Sequence, residues 1–99
     1  MAFPKSYATI LTGLSHPRRI KIMNTLLLQK GAVTHGNLQA LLKFNAQAMT
    51  HHLGQMEKAG LIRRVRLGRE THISLETHEL SHCINDIKRQ CSFPALRIA

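Results

Sequence analysis

Apolar residues recur every three or four positions along most of the chain, which is the spacing that places them on one side of an α-helix. This pattern predicts five helices, over about residues 4–13, 17–30, 34–43, 45–59 and 77–91. Pro17 suits the first position of the second helix, and Thr34 and Asn45 are suitable caps for the third and fourth. Gly31 and Gly60 are predicted to end the second and fourth helices.

Two of these helices are predicted to supply much of the core. The predicted apolar stripes are Ile20, Met23 and Leu27 in the second helix, and Met49, Leu53 and Met56 in the fourth. In the second helix, three further apolar residues widen the stripe. These are Ile22, Leu26 and Leu28.

Between residues 61 and 75 the period changes to two, which is typical of strands. Strands are predicted over residues 61–67 and 70–75, with a turn at Gly68 and Arg69. We expect an apolar face and a polar face on this hairpin. The apolar face is predicted to hold Val65, Leu67, Ile73 and Leu75, and the polar face Arg64, Arg66, His72 and Ser74.

The order of these elements indicates a fold class. Two short helices joined by a tight turn, the second with a polar face, are a helix-turn-helix, and the hairpin after them is a wing. The chain is therefore predicted to be mostly α with a small β-hairpin wing (α+β). It is predicted to be a single winged helix-turn-helix domain over residues 1–99, with five helices and two strands.

The net charge of the chain indicates the class of molecule that it binds. Fourteen Lys and Arg against five Asp and Glu give a formal charge of +9, which favours a polyanion such as nucleic acid. The alternative is a solvated basic surface. There is no apolar run of membrane-spanning length and no signal peptide pattern, and only two cysteines occur. These features predict a cytoplasmic protein.

Several segments resemble the ArsR-type winged helix-turn-helix regulators of bacteria and archaea. They are LSHPRRIKIMNTLL, NLQALLKFNAQAMTHHLGQMEKAGLIRR, the LGR turn and ISL, within residues 14–75. Three residues depart from the family pattern: Gln39 stands where a small alanine is usual, Lys43 at the usual turn glycine and Gly54 at a frequent basic position. The resemblance implies a homodimeric repressor that pairs through its first and last helices. The predicted dimer interface is Tyr7, Ile10, Leu11, Leu14, Leu80, Cys83, Ile84, Ile87 and Cys91.

The polar side of the fourth helix is the candidate for reading DNA bases. Gln47, Thr50 and His51 lie near its start, where side chains of a recognition helix reach base edges in the major groove. The alternative is a solvated polar face. His52, beside the apolar stripe, is expected to pack or to contact a phosphate.

A second set of basic and polar residues is predicted to contact the DNA backbone. It consists of Arg63, Arg64, Arg66, Arg69, Lys58 and Thr34. Arg66 or Arg69, at the wing tip, can enter the minor groove. Arg18, Arg19 and Lys21, near the start of the second helix, either serve a phosphate or form a solvated face.

The last helix contains a competing motif. His78 and His82 flank Glu79 with the H-E-x-x-H spacing of zinc proteases, but no third ligand follows and no catalytic residue is predicted. His78 and His82, with Glu76 or Cys83, could instead hold a regulatory zinc-class metal between subunits, and the alternative is the exposed side of an amphipathic helix. No other cofactor is predicted.

The two cysteines allow two interpretations. Cys83 and Cys91 are either inert small apolar residues, or one of them meets its own symmetry mate across a dimer and forms a redox-sensitive disulfide.

Together these features predict a sequence-specific double-stranded DNA-binding regulator, a homodimeric repressor at a partly palindromic operator, and not an enzyme. The alternatives are a metal- or redox-responsive sensor repressor that uses the last helix, and a winged-helix module that binds protein or RNA.

Overall fold

A computed structural model of the protein describes residues 3–91. The elements follow the predicted order, with one additional strand. They are α1 (Lys5–Gly13), α2 (Pro17–Gln29), β1 (Val33–Thr34), α3 (His35–Leu42), α4 (Ala46–Lys58), β2 (Ile62–Leu67), β3 (Glu70–Leu75) and α5 (His78–Gln90). The predicted winged helix-turn-helix is confirmed.

Side-chain caps start the three central helices. The Thr34 hydroxyl accepts a hydrogen bond from the backbone N–H of Asn37 at 3.2 Å, and the side-chain Oδ1 of Asn45 accepts one from the backbone N–H of Ala48 at 2.7 Å. Each cap satisfies a donor that a helix start leaves without an intrahelical partner. His16 caps α2 through Nδ1 in the same way, at 3.1 Å from its backbone donor.

The sheet contains a strand that the sequence did not predict. β1 pairs with β3 antiparallel, so that the three-stranded order is β1-β3-β2. β1 has only two residues, Val33 and Thr34, which is too short for an alternating pattern to be recognised. Because Thr34 also caps α3, this pairing fixes the start of α3 against the wing.

The predicted faces of the hairpin are wrong for β2, whose Val65 and Leu67 do not share the face of Ile73. β2 and β3 pair so that Arg64 lies opposite Ile73 and Val65 opposite His72. Residues directly opposite each other in an antiparallel pair share a face, so Val65 and Ile73 lie on different faces. Ile73 is fully buried, whereas Val65 is 42% exposed.

The core forms where α4 meets α1, α2 and β2. The stripe predicted on α4 is confirmed, since all three of its residues are fully buried. On α2 the buried apolar residues are Ile22 and Leu26, whereas Ile20 and Leu27 of the predicted stripe are exposed. α2 is apolar around much of its circumference, so its period alone does not determine which side packs. Within residues 3–91, no helix combines the length and apolar character required to cross a membrane.

Candidate nucleic-acid interface

The candidate base-reading residues share one exposed face of α4. Gln47, Thr50 and His51 are all exposed and lie opposite the buried stripe of this helix. Because that stripe and the Asn45 cap hold the helix against the core, the three side chains project outward from a supported position. Lys58 lies on the same face, in the last turn.

A buried hydrogen bond between an arginine and a histidine connects α4 to α2. Arg19 Nε donates to His52 Nδ1 at 3.1 Å, and Arg19 Nη1 donates to the carbonyl oxygen of Thr12 at 2.9 Å. Arg19 and His52 are only 8% and 5% exposed. One arginine thus connects α1, α2 and α4.

The surroundings of His52 favour its neutral form. Burial lowers the pKa of His52, and the neighbouring His16, Arg19, His51 and Arg18 lower it further by charge repulsion. A neutral imidazole whose Nδ1 accepts a hydrogen bond carries its proton on Nε2. His52 therefore acts in packing, which is one of the two roles expected for it.

Aromatic contacts extend this junction. The His16 ring lies 4.5 Å from that of His52, and the Phe44 ring lies 6.5 Å from it. The Arg18 guanidinium lies 5.1 Å from the centre of the Phe44 ring. The role of Arg19 was missed in the sequence, although it lies at the i, i+3, i+7 spacing with Ile22 and Leu26, which indicates the buried side of α2.

The four arginines near the wing divide into two pairs. Arg64 contacts Glu57 of α4 at 2.7 Å, and Arg63 contacts Glu76 at 3.2 Å. The Arg64 hydrogen bond lowers the pKa of Glu57. These two predicted phosphate ligands therefore already have acidic partners within the chain.

The other two arginines lie at the wing tip. Arg66 and Arg69 are exposed, and together with Glu70 they line a groove opposite the start of α3. The other wall of that groove includes Thr34 and Gly36. The Thr34 cap uses the hydroxyl oxygen only as an acceptor, so its O–H can still donate to a ligand. The groove thus combines the positive end of a helix dipole with two guanidinium groups.

The residues predicted at a dimer interface do not share one environment. Tyr7, Ile10, Leu80 and Cys83 are buried within a single protomer. Leu14 and Ile87 are half-buried, and the exposed members are Leu11, Ile84 and Cys91. Part of the apolar area of these residues is therefore exposed, and the rest joins α1 to α5.

A polar contact also connects α1 with α5. The Tyr7 hydroxyl donates to Asp86 Oδ2 at 2.9 Å, and Arg89 forms an ion pair with the same carboxylate. The Tyr7 hydrogen bond lowers the pKa of Asp86, and burial raises the pKa of Tyr7. The two terminal helices of the described chain thus form one unit.

The predicted metal residues are not brought together with further ligands. Among residues 3–91, no three His, Cys, Asp or Glu side chains form a group suited to a metal ion. Glu76 is paired with Arg63, and His78 and His82 are exposed on α5.

Both cysteines are free thiols, and they differ in environment. Cys83 is fully buried, and burial raises the pKa of its thiol, which disfavours the reactive thiolate. Cys91 is exposed.

Comparison with known proteins agrees with this geometry. Residues 14–65 match the family described as "Helix-turn-helix domain". The structure of an ArsR family transcriptional regulator superimposes with a TM-score of 0.77 at 20% identity, covering 90% of each chain. Comparison with curated proteins gives no match.

Two further structures share somewhat more sequence. An ArsR-like transcriptional regulator from Rhodococcus sp. RHA1 has a TM-score of 0.74 at 25% identity, covering 85% of this chain and 77% of the other. The transcriptional repressor PagR of Bacillus anthracis has a TM-score of 0.67 at 25% identity, covering 84% and 93%. Family and fold are those of transcription regulators, which are not enzymes. The chain belongs to the family of helix-turn-helix domains, and its fold is the winged helix-turn-helix of ArsR-type transcriptional regulators.

Proposed function

We propose that this DNA-binding regulator is a homodimeric repressor that recognises a partly palindromic operator. The observation that carries the proposal is the exposed face of α4, where Gln47, Thr50 and His51 lie opposite a fully buried stripe. Gln can bind adenine through two hydrogen bonds, Thr can contact a thymine methyl, and His can donate to a guanine acceptor. These three residues are proposed to select the sequence.

Affinity is proposed to come from the wing and the start of α3. Arg66 and Arg69 line the groove beside Thr34. Positively charged side chains that face a helix N-terminus form a suitable site for a phosphate. Lys58 adds a positive charge on the face of α4 that would enter the major groove. Arg63 and Arg64, held by acidic partners, would contribute less.

Dimerisation is proposed to use the exposed apolar residues of the terminal helices. Leu11 and Ile84 are each 45% exposed. The chain is proposed to be one cytoplasmic domain in which α1 and α5 pair two copies. A two-fold axis would place the two recognition helices about 34 Å apart, the distance of one DNA turn.

The test is selection of bound duplexes from a random pool, followed by affinity measurements on the selected duplex and on an unrelated one. We expect a partly palindromic site and a complex of two chains per duplex by analytical ultracentrifugation. Gln47→Ala should reduce discrimination between the two duplexes, and Arg69→Ala, the matched control, should weaken both equally. Binding that depends on salt but not on sequence would contradict the proposal.

A further inference from the structure

Gly54 occupies the middle of the recognition helix, on the side that carries the candidate base-reading residues. It follows Gln47 by seven positions, Thr50 by four and His51 by three, and it precedes Lys58 by four. In a helix these spacings place all five residues on one face. A glycine in a helix interior lowers the folding equilibrium constant about fivefold relative to alanine.

The fold itself gives no reason for this glycine. Its φ angle is not positive, and a Cβ built on it would meet no atom within 4 Å. Gly13, by contrast, ends α1 where an added Cβ would lie 2.6 Å from the Cβ of Ala59. Alanine would therefore fit at position 54 of the free protomer and would favour the helix.

The other helical glycine with open space supports a common explanation. Of the glycines inside the helices of residues 3–91, only Gly36 and Gly54 have no neighbour within 4 Å of a built Cβ. Gly36 lies in the groove that also contains Arg66 and Arg69. Both positions thus lie on surfaces proposed to face DNA.

We infer that Gly54 provides steric clearance for duplex DNA and sets how closely α4 approaches the major groove. This inference rests on the proposed function. The groove is about 12 Å wide and a helix with its side chains about 10–12 Å across, so the DNA-facing side has little spare room. Without a side chain at position 54, the helix axis can move closer to the base edges. Gln47, Thr50 and His51 then come within hydrogen-bonding distance.

The experiment compares Gly54→Ala with Asn24→Ala. Asn24 is exposed on α2, outside the proposed DNA surface, and its replacement by alanine also favours a helix. Folding is measured by urea denaturation, and affinity is measured on the duplex selected by the unaltered protein and on an unrelated duplex.

Gly54→Ala should raise the folding equilibrium constant about fivefold. It should weaken binding to the selected duplex about tenfold or more, as expected when a base contact is misplaced, with a smaller loss on the unrelated duplex. Asn24→Ala should also increase stability but leave both affinities unchanged.

Undiminished binding of the selected duplex by Gly54→Ala would overturn the inference while leaving the proposed function intact. A failure of the unaltered protein to prefer any duplex would overturn both. Equal losses on both duplexes would show that Gly54 does not position the base-reading residues, which also overturns the inference.

Discussion

Removing one member of the Arg19–His52 pair is predicted to cost more unfolding free energy than half of what removing both costs. The two side chains are almost fully buried and share a hydrogen bond of 3.1 Å. His52→Leu would leave the Arg19 Nε without an acceptor, and Arg19→Met would leave the His52 Nδ1 without a donor. Thr12 would not be orphaned, because its carbonyl oxygen also accepts from the backbone N–H and the hydroxyl of Ser15.

The expected magnitudes follow from the burial of the two groups. A hydrogen bond to a charged group contributes about 1.5–3 kcal/mol, and a buried polar group left without a partner costs about 1–3 kcal/mol. Each single variant should therefore lose about 2–3 kcal/mol of unfolding free energy. In the double variant Arg19→Met/His52→Leu no polar group of the pair remains, so it should be more stable than the sum of the single losses predicts, by about 0.5–3 kcal/mol.

The assay is urea denaturation of the four proteins of this cycle at pH 8, where histidine is neutral. Arg18→Met is the matched control, because it removes the same charge from the same helix. Arg18 is exposed and stacks on Phe44, so its loss should cost only about 0.5–1 kcal/mol. If the losses of the two single variants simply add in the double variant, the hydrogen bond does not couple these residues and the argument is refuted.

Three further predictions concern pH, packing and salt. The pKa of His52 is lowered below its usual 6.5, so the unfolded chain binds a proton that the folded chain excludes. The free energy of unfolding should be highest above about pH 6.5 and should fall as the pH decreases from there towards the lowered pKa of His52. His52→Leu should make the urea midpoint less dependent on pH over this range. Gly13→Ala should lose about 1–3 kcal/mol in the same assay, since its Cβ would lie 2.7 Å from Leu61 Cδ1, and an unchanged midpoint would contradict that close packing. Arg69→Ala should reduce the slope of log affinity against log salt by about 0.9, and an unchanged slope would show that Arg69 neutralises no phosphate.

Local chemistry made much of the fold predictable. Thr34 and Asn45 cap the predicted helices because a side-chain oxygen next to a helix start satisfies a backbone donor whatever the rest of the chain does. The stripe on α4 was likewise predictable, since its polar and apolar residues separate cleanly around the helix. This separation also identified Gln47, Thr50 and His51 as exposed.

The hairpin shows where local pattern was insufficient. Apolar and polar residues alternate in both strands, but the face that each set occupies depends on which residues pair across the turn. Leu67 pairs with Glu70, and this register places Arg64 beside the buried Ile73. A shift of this register by one residue would have moved every side chain of one strand to the opposite face of the sheet.

The sequence by itself determined the five helices and the two strands of the wing, the side of α4 that remains exposed and the excess of positive charge, because each of these depends on residues within a few positions or on composition. The tertiary structure decided which of the arginines are buried or have an acidic partner. Arg19 is buried against His52, and Arg64 is paired with Glu57, whereas Arg66 and Arg69 face the groove at the start of α3. All of these residues are alike in the sequence, and their roles separate only because folding brings partners from distant positions within hydrogen-bonding distance of some and not of others.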